Sequence, residues 1–576
     1  METFRADEIN IEDLFSNKLT YEIPNYQRPY SWGKDQIEKF CDDIMLAFEN
    51  DEEYLLSSII LVEVEKSRLY EVIDWQQRLT TISILLSTLS HFINDENKDD
   101  VSTRIFKKSS ETRVQRITTD KSKIHIFDKV LKNFDYEYIK NELKKKEHKK
   151  NNYYLNSVYL YDFFFALKEN NFDFDKFYEF FMERIYLIGV YTINQSKAMR
   201  LFEVLNARWL PLKNSDLIKN FVIEKIYEKF NKEEDIKDAK NEEENFSSRW
   251  KDIDNKMTFL NESIEDLFTY FIYHKLWENP KKDLFEEFKK VYEKSFWDNI
   301  SELIREIYNF YDLYISLYED KNDIGIFRKI HSMKHLKEWR FWKTILLSYL
   351  IKNSKDNNYK KLVNEIFRFY YLNWFARETV NPYKQLSFWI IKSINEWIFI
   401  LPKDKYQKII WQEFNINKLR EVFEIYLEDR SVLQKVNKEF NEDVYHEKWI
   451  KPLLLLIEYH LKEKESDRVY QVNDKQITIE HIYPQNALDI DEEIKINLNS
   501  LWNLTLLYQG KNSSFSNSNF DDKKTKFKEK KLTEFQITTE LFTKYNSWNL
   551  EDLVKRKNEL FSYINDILDI ELESIK

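Results

Sequence analysis

The sequence predicts an α+β protein that is predominantly helical, with an α/β segment first, a helical middle and a smaller strand-bearing segment last. Three observations predict this. Runs of β-branched and aromatic residues bounded by turn residues occur before residue 227 and return after residue 463. Between them, long runs dense in Phe, Tyr, Trp and Leu keep helical spacing. At 576 residues the chain is also too long for one domain, since domains run to roughly 100–200 residues. The expected divisions are 1–227, 228–462 and 463–576.

In chain order, Ser57–Glu65 and Arg68–Asp74 read as strands around a Lys66-Ser67 turn. Gln76–Phe92 reads as a helix, Tyr186–Ile193 as a strand and Ser196–Asn206 as a helix. Glu228–Asn245 is highly charged with few apolar anchors, so it reads as a solvated helix or linker and a candidate boundary. In the helical middle, His331 and His335 stand four apart as metal ligands do, but with no third ligand they read as core. Strands are then expected at Val469–Val472, Gln476–Ile482 and Leu501–Tyr508, followed by a helix from about Asn519.

Composition excludes several classes. Apolar residues make up 43%, enough for sizeable cores, so the chain is not a disordered one. The single cysteine, Cys41, allows no internal disulfide and fits a reducing compartment. The N-terminus is acidic and polar, unlike a signal peptide. The longest aliphatic run, Leu453–Ile457, falls far short of the roughly 20 residues that span a bilayer. A cytoplasmic protein without a membrane partner is expected. The net charge of −11 argues against nucleic-acid binding by bulk charge and leaves room for a local basic patch.

The C-terminal segment holds Ile477-Thr478-Ile479-Glu480-His481-Ile482-Tyr483-Pro484-Gln485, then Leu501-Trp502-Asn503-Leu504-Thr505-Leu506-Leu507, then Lys511-Asn512-Ser513-Ser514. Phosphodiester hydrolysis needs a base to take a proton from water, and histidine titrates in the right range. It also needs a hard cation to offset charge on the phosphate. Carboxylate and amide oxygens suit Mg²⁺, which keeps several waters of its own. A basic run at Lys523, Lys524, Lys526, Lys528, Lys530 and Lys531 reads equally as a phosphate-contacting patch or a solvated helix face.

These residues resemble the HNH (ββα-metal) nucleases, and especially the C-terminal domain of GmrSD-type modification-dependent (type IV) restriction enzymes. The resemblance implies His481 as general base and Glu480 and Asn512 as ligands of Mg²⁺ or Mn²⁺. It implies Asn503 as the residue orienting the histidine loop, and Pro484 as shaping the turn after the strand.

Near the N-terminus the chain reads Ile23-Pro24-Asn25-Tyr26-Gln27-Arg28-Pro29-Tyr30-Ser31-Trp32. Val72-Ile73-Asp74-Trp75-Gln76-Gln77-Arg78-Leu79 follows, then Leu201-Phe202-Glu203-Val204-Leu205-Asn206-Ala207-Arg208. A strand ending at Asp74 and a helix starting at Gln76 would present backbone N–H groups to an anion. Arg28, Arg78 and Arg208 supply forked donors for phosphate. No Walker-type loop is present. The three blocks resemble the GmrS half of the same family, a ParB/sulfiredoxin-like domain with an Asp-Gly-Gln-Gln-Arg signature, associated with nucleoside triphosphate binding and hydrolysis. Carried over, Asp74, Gln76, Gln77 and Arg78 form the signature loop. Gln27 and Arg28 face the same pocket, with Asn206 and Arg208 nearby.

The chain departs from the family pattern in one systematic way. Trp75, Trp209 and Trp502 stand where the family has glycine. The whole chain has 4 Gly and 15 Trp. Average usage would give about 40 glycines. A single cause accounts for both: a gene in which UGA encodes glycine, translated with UGA read as tryptophan. The rival reading is a real protein with altered pockets.

The leading functional expectation is a nucleotide-regulated, metal-dependent endonuclease that restricts modified or foreign (phage) DNA. The alternatives are a nucleotide-responsive DNA-binding protein with a silent nuclease site, and a helical scaffold whose end motifs are relics. Homo-oligomerisation stays open.

Overall fold

The computed structural model describes residues 4–24, 27, 29–64, 68–107, 112–116, 121–132, 134–195, 197–202, 213–230, 236–296, 299–336, 340–353, 355–462, 469–470, 474–484, 495–508, 518–530 and 535–572. The chain gathers into two units, Met1–Glu265 with Asp283–Ile304, and Asp266–Lys282 with Arg305–Lys576. It is α+β and predominantly helical, as the sequence predicts.

The first unit is built on a six-stranded mixed sheet. Its strands are β1 (Arg5–Asn10), β2 (Thr20–Ile23), β3 (Tyr54–Val64), β4 (Leu69–Val72), β5 (Val114–Arg116) and β6 (Ile185–Thr192), in the order β1-β6-β3-β4-β2-β5. Ile59, Ile60 and Leu61 of β3 are consecutive and fully buried, so this strand is covered on both faces. β3 and β4 pair antiparallel from Leu61↔Val72 to Val64↔Leu69. The turn expected between them, Lys66-Ser67, lies outside the described residues.

The expected Gln76–Phe92 helix runs over Gln76–Leu89 and forms the core of this unit. Every residue in it is buried except Arg78. Four of its buried hydroxyls bond within the helix: Thr80, Thr81, Ser83 and Thr88 each donate to the carbonyl four residues back at 2.8–2.9 Å. The charged stretch after Glu228 contributes to a long helix, Ile236–Phe259, that buries Ala239 and Glu243 inside the first unit.

The second unit is mostly helical and carries one small hairpin-like pair. The aliphatic run Leu453–Ile457 lies buried within the Ile450–Leu461 helix. Glu458 of this helix is wholly buried and accepts from the backbone N–H groups of Gln536 (3.0 Å) and Ile537 (2.9 Å), at the start of the Gln536–Lys544 helix. A carboxylate is favoured at such a helix start. β7 (Ile477–His481) pairs antiparallel with β8 (Leu504–Tyr508), placing Glu480 opposite Thr505 and His481 opposite Leu504. The helix Phe520–Lys530 follows.

Two sequence expectations are corrected here. Leu501–Asn503, expected as strand, is a single turn of 3-10 helix before β8. Val469 and Tyr470, expected to begin a strand over Val469–Val472, lie in none, the Tyr470 N–H bonding to the Tyr459 hydroxyl at 2.7 Å, and residues 471 and 472 lie outside the described residues. His331 is half-buried, its Nε2 3.2 Å from the Tyr318 carbonyl oxygen. No described helix is long and apolar enough to cross a membrane.

Tryptophans occupy glycine's backbone conformation. Among the described residues, eleven non-glycine residues have positive φ, and four of them are Trp75 (84°), Trp277 (58°), Trp397 (58°) and Trp411 (65°). Asn and Asp visit this region readily, whereas bulky side chains rarely do. Trp397 caps the Val380–Glu396 helix in the left-handed position where glycine usually stands, with the next N–H, of Ile398, bonding back to Ser393 O at 3.1 Å. Trp75 precedes the Gln76–Leu89 helix. Its indole nitrogen is buried with no hydrogen-bond partner among the described residues. Trp502 has the same orphaned nitrogen but no positive φ, and its ring lies beneath Lys557 Nζ at 4.7 Å. Trp209 lies outside the described residues.

Candidate functional site

His481 ends β7 with its side chain almost fully enclosed. Its Nε2 lies 3.0 Å from Asn499 Oδ1, and Asn499 Nδ2 donates to Asp443 Oδ2 at 2.9 Å. The Tyr445 ring lies against the imidazole with centroids 4.3 Å apart. Burial pushes the His481 pKa below its ordinary value. The Asn499 bond and the Asp443 charge oppose that shift, while Lys523 and His446 add to it. The net shift favours the neutral imidazole.

Glu480 is one residue back on β7. Its Oε1 accepts from Lys523 Nζ at 2.8 Å. The lysine side chain is 0% exposed and also donates to the His481 carbonyl oxygen at 2.6 Å. Burial raises the Glu480 pKa against the pull of Lys523. The same burial lowers the Lys523 pKa. Lys523 is thus a correction to the basic run. Phe520, Lys523 and Phe527 share one helix face, and both aromatics pack into the core beside Ile482 and Leu507, so Lys523 points inward. Lys524 and Lys526 bond to Asn546 and Ser518, and Lys528 is exposed.

Asn503 is fully buried and ties the chain after β7 to the start of β8. Its Oδ1 accepts from Tyr483 N at 2.9 Å and from Trp548 Nε1 at 3.1 Å, and its Nδ2 donates to Leu498 O at 2.7 Å. Its carbonyl accepts from Ile482 N at 2.8 Å. Asn512 lies outside the described residues. Among the described residues no cluster of three or more His, Cys, Asp or Glu could hold a metal. The implied donor set asks for less than that: one carboxylate and one amide with waters. Glu480 is a hard oxygen donor of the type Mg²⁺ takes, so the part of the set that is described fits.

In the first unit, Asp74 follows β4, and its Oδ1 accepts from Trp75 N at 2.7 Å. Gln77 acts as a clamp: its Oε1 accepts from Ser31 N at 2.8 Å, and its Nε2 donates to Pro29 O at 3.1 Å. Gln27 Nε2 donates to Ile73 O at 2.6 Å. The structure therefore brings together Gln27, Asp74, Gln76, Gln77 and Arg78. Gln76 Oε1 is buried with no hydrogen-bond partner among the described residues. The Arg78 guanidinium reaches Ser57 Oγ at 3.2 Å and lies about 6 Å from the rings of Trp32 and Trp75. Burial lowers its pKa, against Asp74 and Tyr54. Arg28, Asn206 and Arg208 lie outside the described residues.

Four residues at these sites escaped the motifs. Lys523 had a signal, since helical spacing from Phe520 puts it on the buried face. Asn499 and Asp443 had none, because 56 residues separate them and only the fold joins them. Asn156 on the Asn152–Lys168 helix bonds to the Tyr30 hydroxyl at 2.9 Å and to Trp32 O at 2.8 Å, completing the clamp from a distant helix.

No curated protein matches the chain. Residues 11–223 match the family described as "GmrSD restriction endonuclease, N-terminal domain", and residues 432–563 match "GmrSD restriction endonucleases, C-terminal domain". The second match covers Asp443, His481, Asn499 and Asn503, and the first covers the Asp74–Arg78 loop. The two lie in N-to-C order and together span more than half of the chain, which belongs to the GmrSD restriction endonuclease family and acts on DNA.

Proposed function

We propose that the chain hydrolyses phosphodiester bonds of modified or foreign DNA at an HNH-type site in its second unit, using a divalent metal, under the control of a nucleoside triphosphate bound by its first unit. The observation that carries this reading is the ββα arrangement of β7, β8 and the Phe520–Lys530 helix, with His481 buried and hydrogen-bonded beside Glu480. His481 takes the proton of the attacking water as the water oxygen bonds to phosphorus and the ester P–O bond breaks. Glu480, through the oxygen not held by Lys523, and Asn512 would hold the metal. Bound there, it would offset charge on the phosphate and leaving oxygen.

The start of the Gln76–Leu89 helix and the Arg78 guanidinium support a phosphate-bearing ligand in the first unit. The family resemblance implies Arg28 facing the same pocket, with Asn206 and Arg208 nearby. An alternative reading, a nucleotide-responsive DNA binder with a silent nuclease, is favoured by the ion pair on Glu480 and the indole crowding the helix start at Trp75.

The test incubates the purified chain with modified phage DNA and plain plasmid, with Mg²⁺, Mn²⁺ or chelator, and with or without nucleoside triphosphate. His481→Ala runs alongside. Metal-dependent cleavage that is lost in the variant is expected. DNA binding without cleavage of any substrate would replace this reading with the silent-nuclease one.

A further inference from the structure

We propose that Asn499 and Asp443 form a positioning relay that fixes which ring nitrogen of His481 receives the proton. The inference rests on the reading of His481 as general base and adds two residues that no motif marked.

The logic runs outward from a group that can only accept. A carboxylate accepts and does not donate, so the atom of Asn499 that Asp443 meets, Nδ2 at 2.9 Å, is the amide NH₂. That orients the amide and leaves its Oδ1 toward His481. An amide oxygen also only accepts, so Nε2, 3.0 Å away, carries the ring hydrogen. The lone pair of the neutral imidazole then sits on Nδ1, which makes Nδ1 the atom that takes the proton from water. As it does so, Nε2–H becomes a stronger donor and Asn499, polarised by Asp443, holds it more tightly.

The relay is anchored on its own account. Val444 N donates to the Asn499 carbonyl oxygen at 3.1 Å, and Tyr445 N to Asp443 Oδ1 at 3.3 Å. The Tyr445 ring packs on the imidazole the relay orients. One short segment, 443–445, thus grips Asn499 through backbone and side chain and covers His481. An amide between carboxylate and imidazole keeps the ring's orientation without placing a full charge against it.

The relay has a reciprocal test. Asn499→Asp puts two carboxylates face to face and removes the donor that Asp443 needs. Adding Asp443→Asn restores one donor and one acceptor between the positions, with an acceptor still facing Nε2. Each single variant is expected to lower kcat for DNA cleavage about 10–100-fold with KM for DNA unchanged. The Asp443→Asn, Asn499→Asp double variant is expected to recover most of that loss. Heteronuclear NMR of the full chain with ¹⁵N-labelled histidine, the His481 resonance assigned by His481→Gln, reads the tautomer without reference to cleavage. The Nε2–H form is expected in the parent chain and the double variant, and loss of that form in Asn499→Leu. An Nδ1–H tautomer in the parent chain overturns the relay whether or not the chain cuts DNA. So do unchanged kcat in the single variants or absence of rescue. A relay that holds by NMR in a chain that never cleaves overturns only the nuclease reading.

Discussion

Lys523 Nζ lies 2.8 Å from Glu480 Oε1, and the lysine side chain has no solvent exposure at all. A buried ion pair contributes less than its Coulomb attraction suggests, because both charges leave water. Breaking one, however, leaves an uncompensated buried charge. Lys523→Met is therefore expected to destabilise the chain by about 3–5 kcal/mol, read as a lower urea midpoint. Lys523→Met with Glu480→Gln should recover much of the loss. If the single variant unfolds at the parent's midpoint, the ammonium is not where the structure has it.

Trp277, Trp397 and Trp411 adopt the conformation a glycine takes at no steric cost. A left-handed L-residue costs roughly 1–2 kcal/mol. Glycine's extra unfolded-state entropy returns part of that, about 0.4–1 kcal/mol. Trp411→Gly, which removes a ring that is 69% exposed, is thus expected to be neutral to stabilising by about 1 kcal/mol, and the codons at 75, 277, 397 and 411 to be UGA. Trp342 and Trp449 form the contrast, since both are fully buried and Trp449 packs on Phe375 and Phe440. Their codons should be UGG, and truncating them should cost about 3–5 kcal/mol. UGG at all six positions would end the idea of a reassigned codon.

Gln77 holds the Pro29–Trp32 loop against the start of the central helix, with both ends of its amide used. Gln77→Leu leaves the Ser31 N–H and the Pro29 carbonyl without this partner. A cost of about 1–3 kcal/mol is expected. Weakened nucleotide binding in isothermal titration and faster proteolysis within residues 29–32 should accompany it. A variant cut no faster than the parent would mean the loop is held elsewhere, and Asn156 would be the residue to replace next.

The architecture was legible where a local pattern carried it. β3 and β6 announced themselves by β-branched runs, and the central helix by its spacing. Leu501–Asn503 did not, since an apolar run suits a strand or a turn of 3-10 helix equally and only the docking of Asn503 decides. At the sites, motifs brought out His481, Glu480 and Asn503 because those residues are adjacent in sequence or framed by strands. They missed Asp443 and Asn499 because a hydrogen bond across 56 residues leaves no trace in spacing. Lys523 was misjudged for a different reason: lysine is almost never fully buried, so composition outweighed the helical period that pointed inward.

His274 offers a test of the second unit by pH alone. It sits in the Ile264–Leu276 helix, 5% exposed, with Nδ1 2.9 Å from Ser348 Oγ. Burial, aided by Lys275 and Lys352, pushes its pKa down to about 3. The unfolded imidazole titrates near its ordinary value of about 6.5. Between these values the unfolded chain binds a proton that the folded one refuses, so stability rises with pH across that window and is lost as pH falls from about 6.5 toward 3. The slope from this residue approaches about 1.4 kcal/mol per pH unit. Other groups titrate in the same range, so the informative quantity is the difference between the parent and His274→Gln, whose amide keeps a partner for Ser348. Urea midpoints of the two should converge as pH falls from 7 to 4.5, the parent losing ground. Curves that stay parallel would show that His274 takes up its proton in the folded chain, and that its pocket admits water.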